Sequence, residues 1–182
     1  MSKRKVSLVI VCEDVQQSAF ARRYLTKRGF DPRKIQVRPY PAGKGSGEQF
    51  VRRRFVQEVK LHRQKSSYGK GGVALVALID ADTKTVKERL AQIDEALEQE
   101  GLEKIKPDEK IAIFVPKRNI ETWIRFANGE PVDESEPYPK LKNPRSCRHE
   151  VDAYVNTICK VGIPSNAPSS LVHACTELTK IL

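Results

Sequence analysis

The sequence lacks any apolar run long enough to cross a lipid bilayer. Its longest continuous apolar stretch, residues 73–79, has seven residues, whereas a membrane-spanning helix needs about 20. The basic N-terminal start is followed by a short apolar stretch and then by the acidic letters "CED", which do not form the small-residue cleavage site of a signal peptide. Only four cysteines occur, widely spaced, which favours a reducing compartment over a disulfide framework. We therefore expect a cytoplasmic protein without a membrane segment.

The charge of the chain is positive and unevenly distributed. The formal net charge is +10, and residues 1–72 contain 18 basic and 5 acidic side chains, against 9 and 15 in residues 73–136 and 6 and 3 in residues 137–182. A basic surface attracts polyanions, and salt screens that attraction. The N-terminal half therefore indicates nucleic acid, with DNA expected, as a partner; a solvated basic surface without a partner is the alternative that charge alone leaves open.

Strand and helix patterns alternate along the first part of the chain. Continuous β-branched or apolar stretches predict strands over residues 5–12, 34–39, 73–79 and 111–115. Apolar residues at helical spacing predict helices over residues 15–29, 48–64, 85–101 and 119–129. Fourfold alternation of this kind is typical of an α/β protein with a Rossmann-like, mostly parallel, four-stranded sheet and helices on both faces.

The C-terminal part has a different pattern. Residues 131–144 contain four prolines and predict a loop, and two helical patterns follow near residues 146–161 and 169–181. We interpret residues 1–130 as the α/β domain. Residues 131–182 are then a Pro-rich loop and a helical C-terminal extension of the same globule.

Charged residues follow three of the predicted strands. They are Glu13 and Asp14 after the first, Asp80 and Asp82 after the third, and Lys117, Arg118 and Glu121 after the fourth. Ligands bind beyond the carboxyl ends of parallel strands. If the first and third strands are neighbours, Glu13, Asp80 and Asp82 converge, and their charges repel unless a cation neutralises them. Carboxylates are preferred ligands of Mg²⁺ and Mn²⁺, so a cation site is predicted, with simple capping of the following helix as the alternative.

The segments "VIVCED" and "VALIDADT", each followed by a helix, resemble the TOPRIM domain of topoisomerases, primases and OLD-type nucleases. The resemblance covers about residues 5–128. It implies metal-dependent phosphodiester chemistry, with Glu13 as the acid/base or metal-linked glutamate and Asp80 and Asp82 as metal ligands. The segment "VPKRNIETW" resembles short stand-alone TOPRIM-like proteins and adds Glu121 to the acidic group. Proteins of this short kind often act with a separate ATPase in defence against foreign DNA, so the resemblance implies such a partner.

Other functions stay open beside the nuclease. Asp14, Gln16, Gln17 and Lys84 occupy positions where the family has glycine or acidic residues, which favours a non-catalytic TOPRIM-like module that binds nucleic acid or a protein. A receiver-like signalling domain and a phosphatase of the haloacid dehalogenase type are analogies at the level of the fold. The basic charge fits the receiver poorly, and the phosphatase motif requires threonine at the position of Lys84.

Five basic residues are predicted to contact the nucleic-acid backbone: Lys44, Arg52, Arg53, Lys117 and Arg118. Lys44 lies in "GKGSG", residues 43–47, where backbone amides could also hold a phosphate. Three consecutive arginines cannot share one helix face, so only part of the run at residues 52–54 is expected to contact phosphates. A flexible loop and a solvated helix face are the respective alternatives.

Cysteine and histidine also occur as pairs in the C-terminal part, Cys147 with His149 and His173 with Cys175. One intervening residue is unlike the usual spacing of zinc ligands. We interpret these cysteines as scattered and partly buried rather than as a metal site.

Overall fold

The computed structural model describes residues 6–40, 47–67, 72–145, 147–157, 159 and 162–182. Four strands form one parallel sheet in the order β2-β1-β3-β4, so the predicted Rossmann-like α/β class is confirmed, and a helical C-terminal part is present. No helix in these ranges is long and apolar enough to span a membrane. The elements are β1 (Ser7–Cys12), α1 (Val15–Lys27), β2 (Ile35–Val37), α2 (Gly47–Ser67), β3 (Val73–Leu78), α3 (Val86–Gln99), β4 (Ile111–Phe114), α4 (Ile120–Ala127), α5 (Arg148–Thr157) and α6 (Ser169–Thr179).

Helices cover both faces of the sheet. Along β1, Leu8 and Ile10 point into a core shared with α1, α4, α5 and α6, whereas Val9 and Val11 point into a core shared with α2 and α3. Because side chains alternate between the faces of a strand, a sheet buried on both sides needs apolar residues at every position. This explains why the strands appear in the sequence as continuous apolar runs.

The helices that follow β1 and β3 begin at well-defined caps. Asp14 Oδ1 accepts hydrogen bonds from the backbone N–H groups of Gln16 and Gln17, both at 2.9 Å. Thr85 and Glu88 form a capping box at the start of α3, as the sequence pattern predicts. Both caps satisfy free N–H groups of a first helical turn, and they fix short turns between strand and helix at the carboxyl edge of the sheet.

The C-terminal helix α6 packs against the edge strand β4. The backbone N–H of Ile113 donates to Glu177 Oε2 at 3.0 Å, and the buried Trp123 donates its Nε1–H to Ser170 Oγ at 2.8 Å. The carboxylate of Glu134 accepts from the backbone N–H groups of Ser169 and Ser170. These bonds connect the Pro-rich loop, α6 and the sheet.

The structure contains one disulfide, between Cys159 and Cys175, which the sequence did not predict. Cys12 and Cys147 are free and buried. The disulfide joins the segment after α5 to α6. In the disulfide, the sulfur of Cys175 is bonded to that of Cys159 and is not a free thiolate ligand. The pair of His173 with Cys175, whose spacing is already unlike that of zinc ligands, therefore lacks one of its two ligands.

Replacing Glu177 by leucine should lower the free energy of unfolding by about 1–3 kcal/mol, because the N–H of Ile113 would be buried without an acceptor. A Glu177→Gln variant keeps an oxygen acceptor and should stay within about 1 kcal/mol of the wild type. Urea denaturation measures both. Equal losses in the two variants would show that the negative charge of Glu177, beside Lys180, matters more than the hydrogen bond.

Candidate active site

Glu13 and Asp80 meet at the carboxyl edge of the sheet. β1 and β3 are neighbours, with Cys12 opposite Leu78, so the residues that follow them leave the sheet side by side. Glu13 Oε1 accepts a hydrogen bond from the backbone N–H of Asp80 at 2.6 Å. The backbone N–H of Glu13 donates to Gln17 Oε1 at 2.9 Å. Two residues separated by 67 positions are thus held together at this edge.

Glu121 reaches the same edge from the start of α4. Its side chain is buried, and its Oε1 accepts a hydrogen bond of 2.5 Å from Gln16 Nε2. The other end of the Gln16 amide, Oε1, accepts from the backbone N–H of Leu141 at 3.0 Å. Gln16, which departs from the TOPRIM pattern, therefore links Glu121 to the segment at residues 139–145.

Asp80 carries the least compensated charge of the site. Its Oδ1 atom is excluded from solvent and has no hydrogen-bond partner among the described residues. Burial raises the pKa of Asp80 well above its usual range, and the charges of Glu13 and Glu121 raise it further. Burial also raises the pKa of Glu13 to about 7, although the bond from the Asp80 N–H opposes this rise. An ionised carboxylate in such a place is costly unless a cation compensates it.

Asp82 pairs with an arginine, and its charge also raises the pKa of Glu13 and of Asp80. Its backbone has a φ of 54°, its side chain is 58% exposed, and its Oδ2 accepts from the guanidinium of Arg89 at 3.1 Å. Arg89 is buried and also binds Glu48 at 2.7 Å. In the part of the chain that the structure describes, no three His, Cys, Asp or Glu side chains are arranged as a ready metal-binding group.

A lysine from the Pro-rich segment lies over the acidic edge. The ammonium of Lys140 forms an ion pair with Asp14 Oδ2. Although burial opposes it, this hydrogen bond and the charges of Asp14, Glu121 and Asp80 raise the pKa of Lys140. Sequence reasoning did not find Lys140, because it stands 126 residues from Asp14 in a loop without a motif. Like Arg89, which pairs with Asp82, it is a cation that the fold brings to an acidic residue of this edge.

The start of α2 packs directly against Glu13. A Cβ at Gly47 would stand 3.0 Å from the Cβ and 3.1 Å from the Oε2 of Glu13, so only glycine allows this approach without a shift. One turn on, Arg52 pairs with Glu48 at 2.9 Å, whereas Arg53 is exposed. Lys44, also predicted to bind phosphate, lies outside the described residues.

Lys117 and Arg118 stand at the rim of the same edge, after β4. Lys117 Nζ donates to the carbonyl of Lys84 at 2.6 Å. The carbonyl of Arg118, a residue with a φ of 67°, accepts from the N–H of Asp82 at 3.2 Å. The structure thus brings both basic residues to the turn that carries Asp82.

Comparison of the chain with protein-family models, with curated proteins and with solved structures gives no match.

The stability of the metal-free protein should fall as the pH rises from about 5 to about 8. The pKa of Glu13 is about 7 in the folded chain, against 4.5 for an unperturbed glutamate. In this window the native state binds more protons than the unfolded state, so the free energy of unfolding decreases with pH, by on the order of 2–3 kcal/mol for this group. Urea denaturation in EDTA across the window measures the slope.

Two variants identify the source of this pH dependence. Glu13→Gln should reduce the slope, because its side chain does not titrate. Glu95→Gln, at an exposed position of α3, should keep the wild-type slope. A slope unchanged by Glu13→Gln would contradict the assignment.

Proposed function

We propose that the edge formed by Glu13, Asp80 and Glu121 binds a divalent cation, Mg²⁺ or Mn²⁺, and that the protein is a metal-dependent nuclease. The observation that carries the proposal is the buried Oδ1 of Asp80, which has no partner in the described residues and lies beside other carboxylates. Buried polar atoms normally have partners, and a cation both supplies one and neutralises the repulsion. Oxygen donors of this kind suit Mg²⁺ and Mn²⁺.

The residues at the edge have separate parts in the proposed reaction. Asp80, Glu13 and Glu121 would hold the ion, which when bound polarises a phosphodiester and makes a water more nucleophilic. Glu13 would serve either as a ligand of the ion or as the group that transfers protons; its pKa of about 7 belongs to the metal-free site, and a cation bound to it would lower that pKa. Asp82, a metal ligand according to the resemblance to TOPRIM proteins, pairs with Arg89 through Oδ2, so a cation would bind its other oxygen or displace the arginine.

Nucleic acid is the proposed substrate because of the charge of the chain. The net charge is +10, and phosphate contacts supply most of the sequence-independent affinity of such proteins. Lys117 and Arg118 stand at the rim of the acidic edge, and Arg53 is exposed on α2. An ATPase partner is part of the proposal on the resemblance to TOPRIM proteins alone. A cytoplasmic location is part of it on the sequence pattern, and the Cys159–Cys175 disulfide stands against the reducing compartment that the cysteine spacing favoured.

A non-catalytic binding module is the second candidate. It is favoured by the internal cations that engage two of the acidic residues, Arg89 on Asp82 and Lys140 on Asp14. Such a protein would bind nucleic acid and leave it intact.

The test is cleavage of supercoiled plasmid and of single-stranded DNA with Mn²⁺, then with Mg²⁺, and in EDTA. Cleavage that requires metal and disappears in an Asp80→Asn variant supports the nuclease. Cleavage that is equal in both proteins contradicts it. Binding without cleavage by either protein, with calorimetric titration showing no Mn²⁺ uptake, favours the module.

A further inference from the structure

A basic cleft lies between α1 and the segment that follows the Pro-rich loop. It has a volume of about 530 Å³, and Arg22, Arg23 and Lys27 of α1 line one side, with Arg145 on the other. The described residues that line it include no acidic side chain. α1 itself contains no aspartate or glutamate. The cleft is therefore a concave surface of one charge sign.

The positive charge of the cleft exceeds the negative charge that the described residues place beside it. The guanidinium of Arg22 donates to two neutral carbonyls, of Ile35 at 3.1 Å and of Pro32 at 3.0 Å, so it is positioned without losing its charge. Arg23 and Lys27 share the single carboxylate of Asp152, at 2.7 and 3.3 Å. Among the described residues, Asp152 pairs with two of the four cations and the charge of Glu150 acts on Cys147, which also lines the cleft. The cations outnumber these acids, so the cleft favours a polyanion.

The cleft and the acidic edge lie along the same helix. α1 begins directly after Glu13 and Asp14, and Arg22 and Lys27 stand about 10 and 18 Å further along its axis. The segment at residues 140–145 follows the same course, since Lys140 binds Asp14 at the edge and Arg145 lines the cleft. A stacked strand has one phosphate per about 3.4 Å of helix axis, so roughly three to five nucleotides would span this distance.

The opposite face of the sheet carries a cleft of the same size with a weaker positive character. It is lined by Arg52, Arg53 and Lys60 of α2, but also by Glu100, and Arg52 is paired with Glu48. Its other wall is α3, whose sequence carries more acidic than basic residues. The α1 cleft is the better site for a chain of phosphates.

We infer that the cleft formed by Arg22, Arg23, Lys27 and Arg145 binds the phosphate backbone of a nucleic-acid strand whose next phosphates lead to the acidic edge. The inference deepens the proposed function and rests on it for the phosphate at the edge. Binding in the cleft requires no metal and no cleavage. The contacts go to phosphates, so affinity depends on salt and little on base sequence.

Fluorescence anisotropy with labelled single-stranded DNA and RNA, in EDTA and over a series of KCl concentrations, tests the cleft. Lys27→Gln/Arg145→Gln should weaken binding on the order of tenfold and reduce the slope of log K against log salt by about 1.4, since each lost contact to a single strand removes about 0.7. Lys60→Gln/Lys65→Gln removes the same charge at exposed positions of α2, on the opposite face of the sheet. This control should change affinity less than about twofold.

An Asp152→Asn variant separates binding from packing. It breaks the Lys27 pair that the cleft variant also breaks, and the Arg23 pair as well, but it makes the cleft more positive. Tighter binding by Asp152→Asn supports the cleft, whereas weaker binding would show that the ion pairs act through the fold. Equal weakening by the two double variants, or no change in the cleft variant, overturns the inference. The ratio of the affinities for DNA and for RNA shows which of the two nucleic acids the cleft prefers.

Strand binding by the cleft and cleavage at the acidic edge are measured separately, so either can fail without the other. Loss of affinity in the cleft variant, in a protein that never cleaves, keeps the cleft and rejects the nuclease. Metal-dependent cleavage with unchanged binding and cleavage in the cleft variant keeps the nuclease and rejects the cleft. Asp80→Asn serves in both assays, because it should bind strands without cutting them.

Discussion

An Asp80→Asn variant should lose metal-dependent cleavage by at least about a thousandfold and yet be more stable than the wild type when metal is absent. A thousandfold loss corresponds to about 4 kcal/mol of transition-state stabilisation, which is the scale of a metal ion's contribution. The amide of asparagine has a single oxygen and no charge. It therefore fails to compensate a divalent cation beside Glu13 and Glu121.

The gain in stability follows from the burial of the Asp80 carboxylate. Its pKa is raised because the charged form is desolvated and repelled by neighbouring acids, so the folded protein holds the proton more tightly than the unfolded chain. Stability is then lost as the pH rises from the unfolded pKa through the folded pKa. Asparagine has no such titration, and the variant should gain about 1–3 kcal/mol near pH 8, with a smaller gain near pH 5.

Urea denaturation at the two pH values, in EDTA, measures this gain beside the cleavage assay. Adding Mn²⁺ should raise the stability of the wild type by about 2.7 kcal/mol at 100 times the dissociation constant, and should leave the variant unchanged. Asp94→Asn is a matched control, because Asp94 lies on α3 and pairs only weakly with Lys104 at 3.2 Å. A variant that is less stable at both pH values would contradict the account of Asp80.

An Arg89→Met variant should be less stable than the wild type by about 3 kcal/mol. Arg89 is 2% exposed and binds Glu48 at 2.7 Å and Asp82 at 3.1 Å, and its guanidinium also donates to the carbonyl of Ala81 at 3.3 Å. Removing one partner of a buried ion pair costs about 3–5 kcal/mol. The lower end applies because Asp82 is 58% exposed and keeps part of its hydration. Methionine fills the space of the arginine stem, so lost packing contributes little.

Denaturation with urea or guanidinium measures the decrease in the free energy of unfolding. Two further variants show how much of it comes from the charge and from the burial of Arg89. Arg89→Lys keeps the charge without the planar fork and should lose less than Arg89→Met. Arg125→Met breaks a more exposed pair, with Glu130, and a stacking contact with Tyr138, and should cost about 1 kcal/mol. If both variants lower the free energy of unfolding equally, the burial of Arg89 does not make its ion pairs more stabilising than an exposed pair.

The sequence by itself determined the class of the fold and the meeting of Glu13 with Asp80 at the edge of the sheet. Continuous apolar runs are dictated by burial on both faces of a parallel sheet, and caps such as Thr85 with Glu88 act over four residues, so both can be read locally. Once the strands are parallel, their carboxyl ends share one edge. The meeting of Glu13 with Asp80 then needs only that β1 and β3 be neighbours.

Only the tertiary structure decided the remaining contacts of the site. Lys140 reaches Asp14 across 126 residues, and Gln16 reaches Glu121 across 105, through loops and helix starts whose positions depend on packing of the whole domain. Asp82 has a backbone of positive φ and pairs with Arg89, and no spacing of aspartates encodes either feature. The pairing of Cys159 with Cys175 and the approach of Arg145 to α1 likewise depend on where the C-terminal helices pack. Local patterns encode periodicity and burial, whereas contacts between distant side chains depend on how the elements pack together.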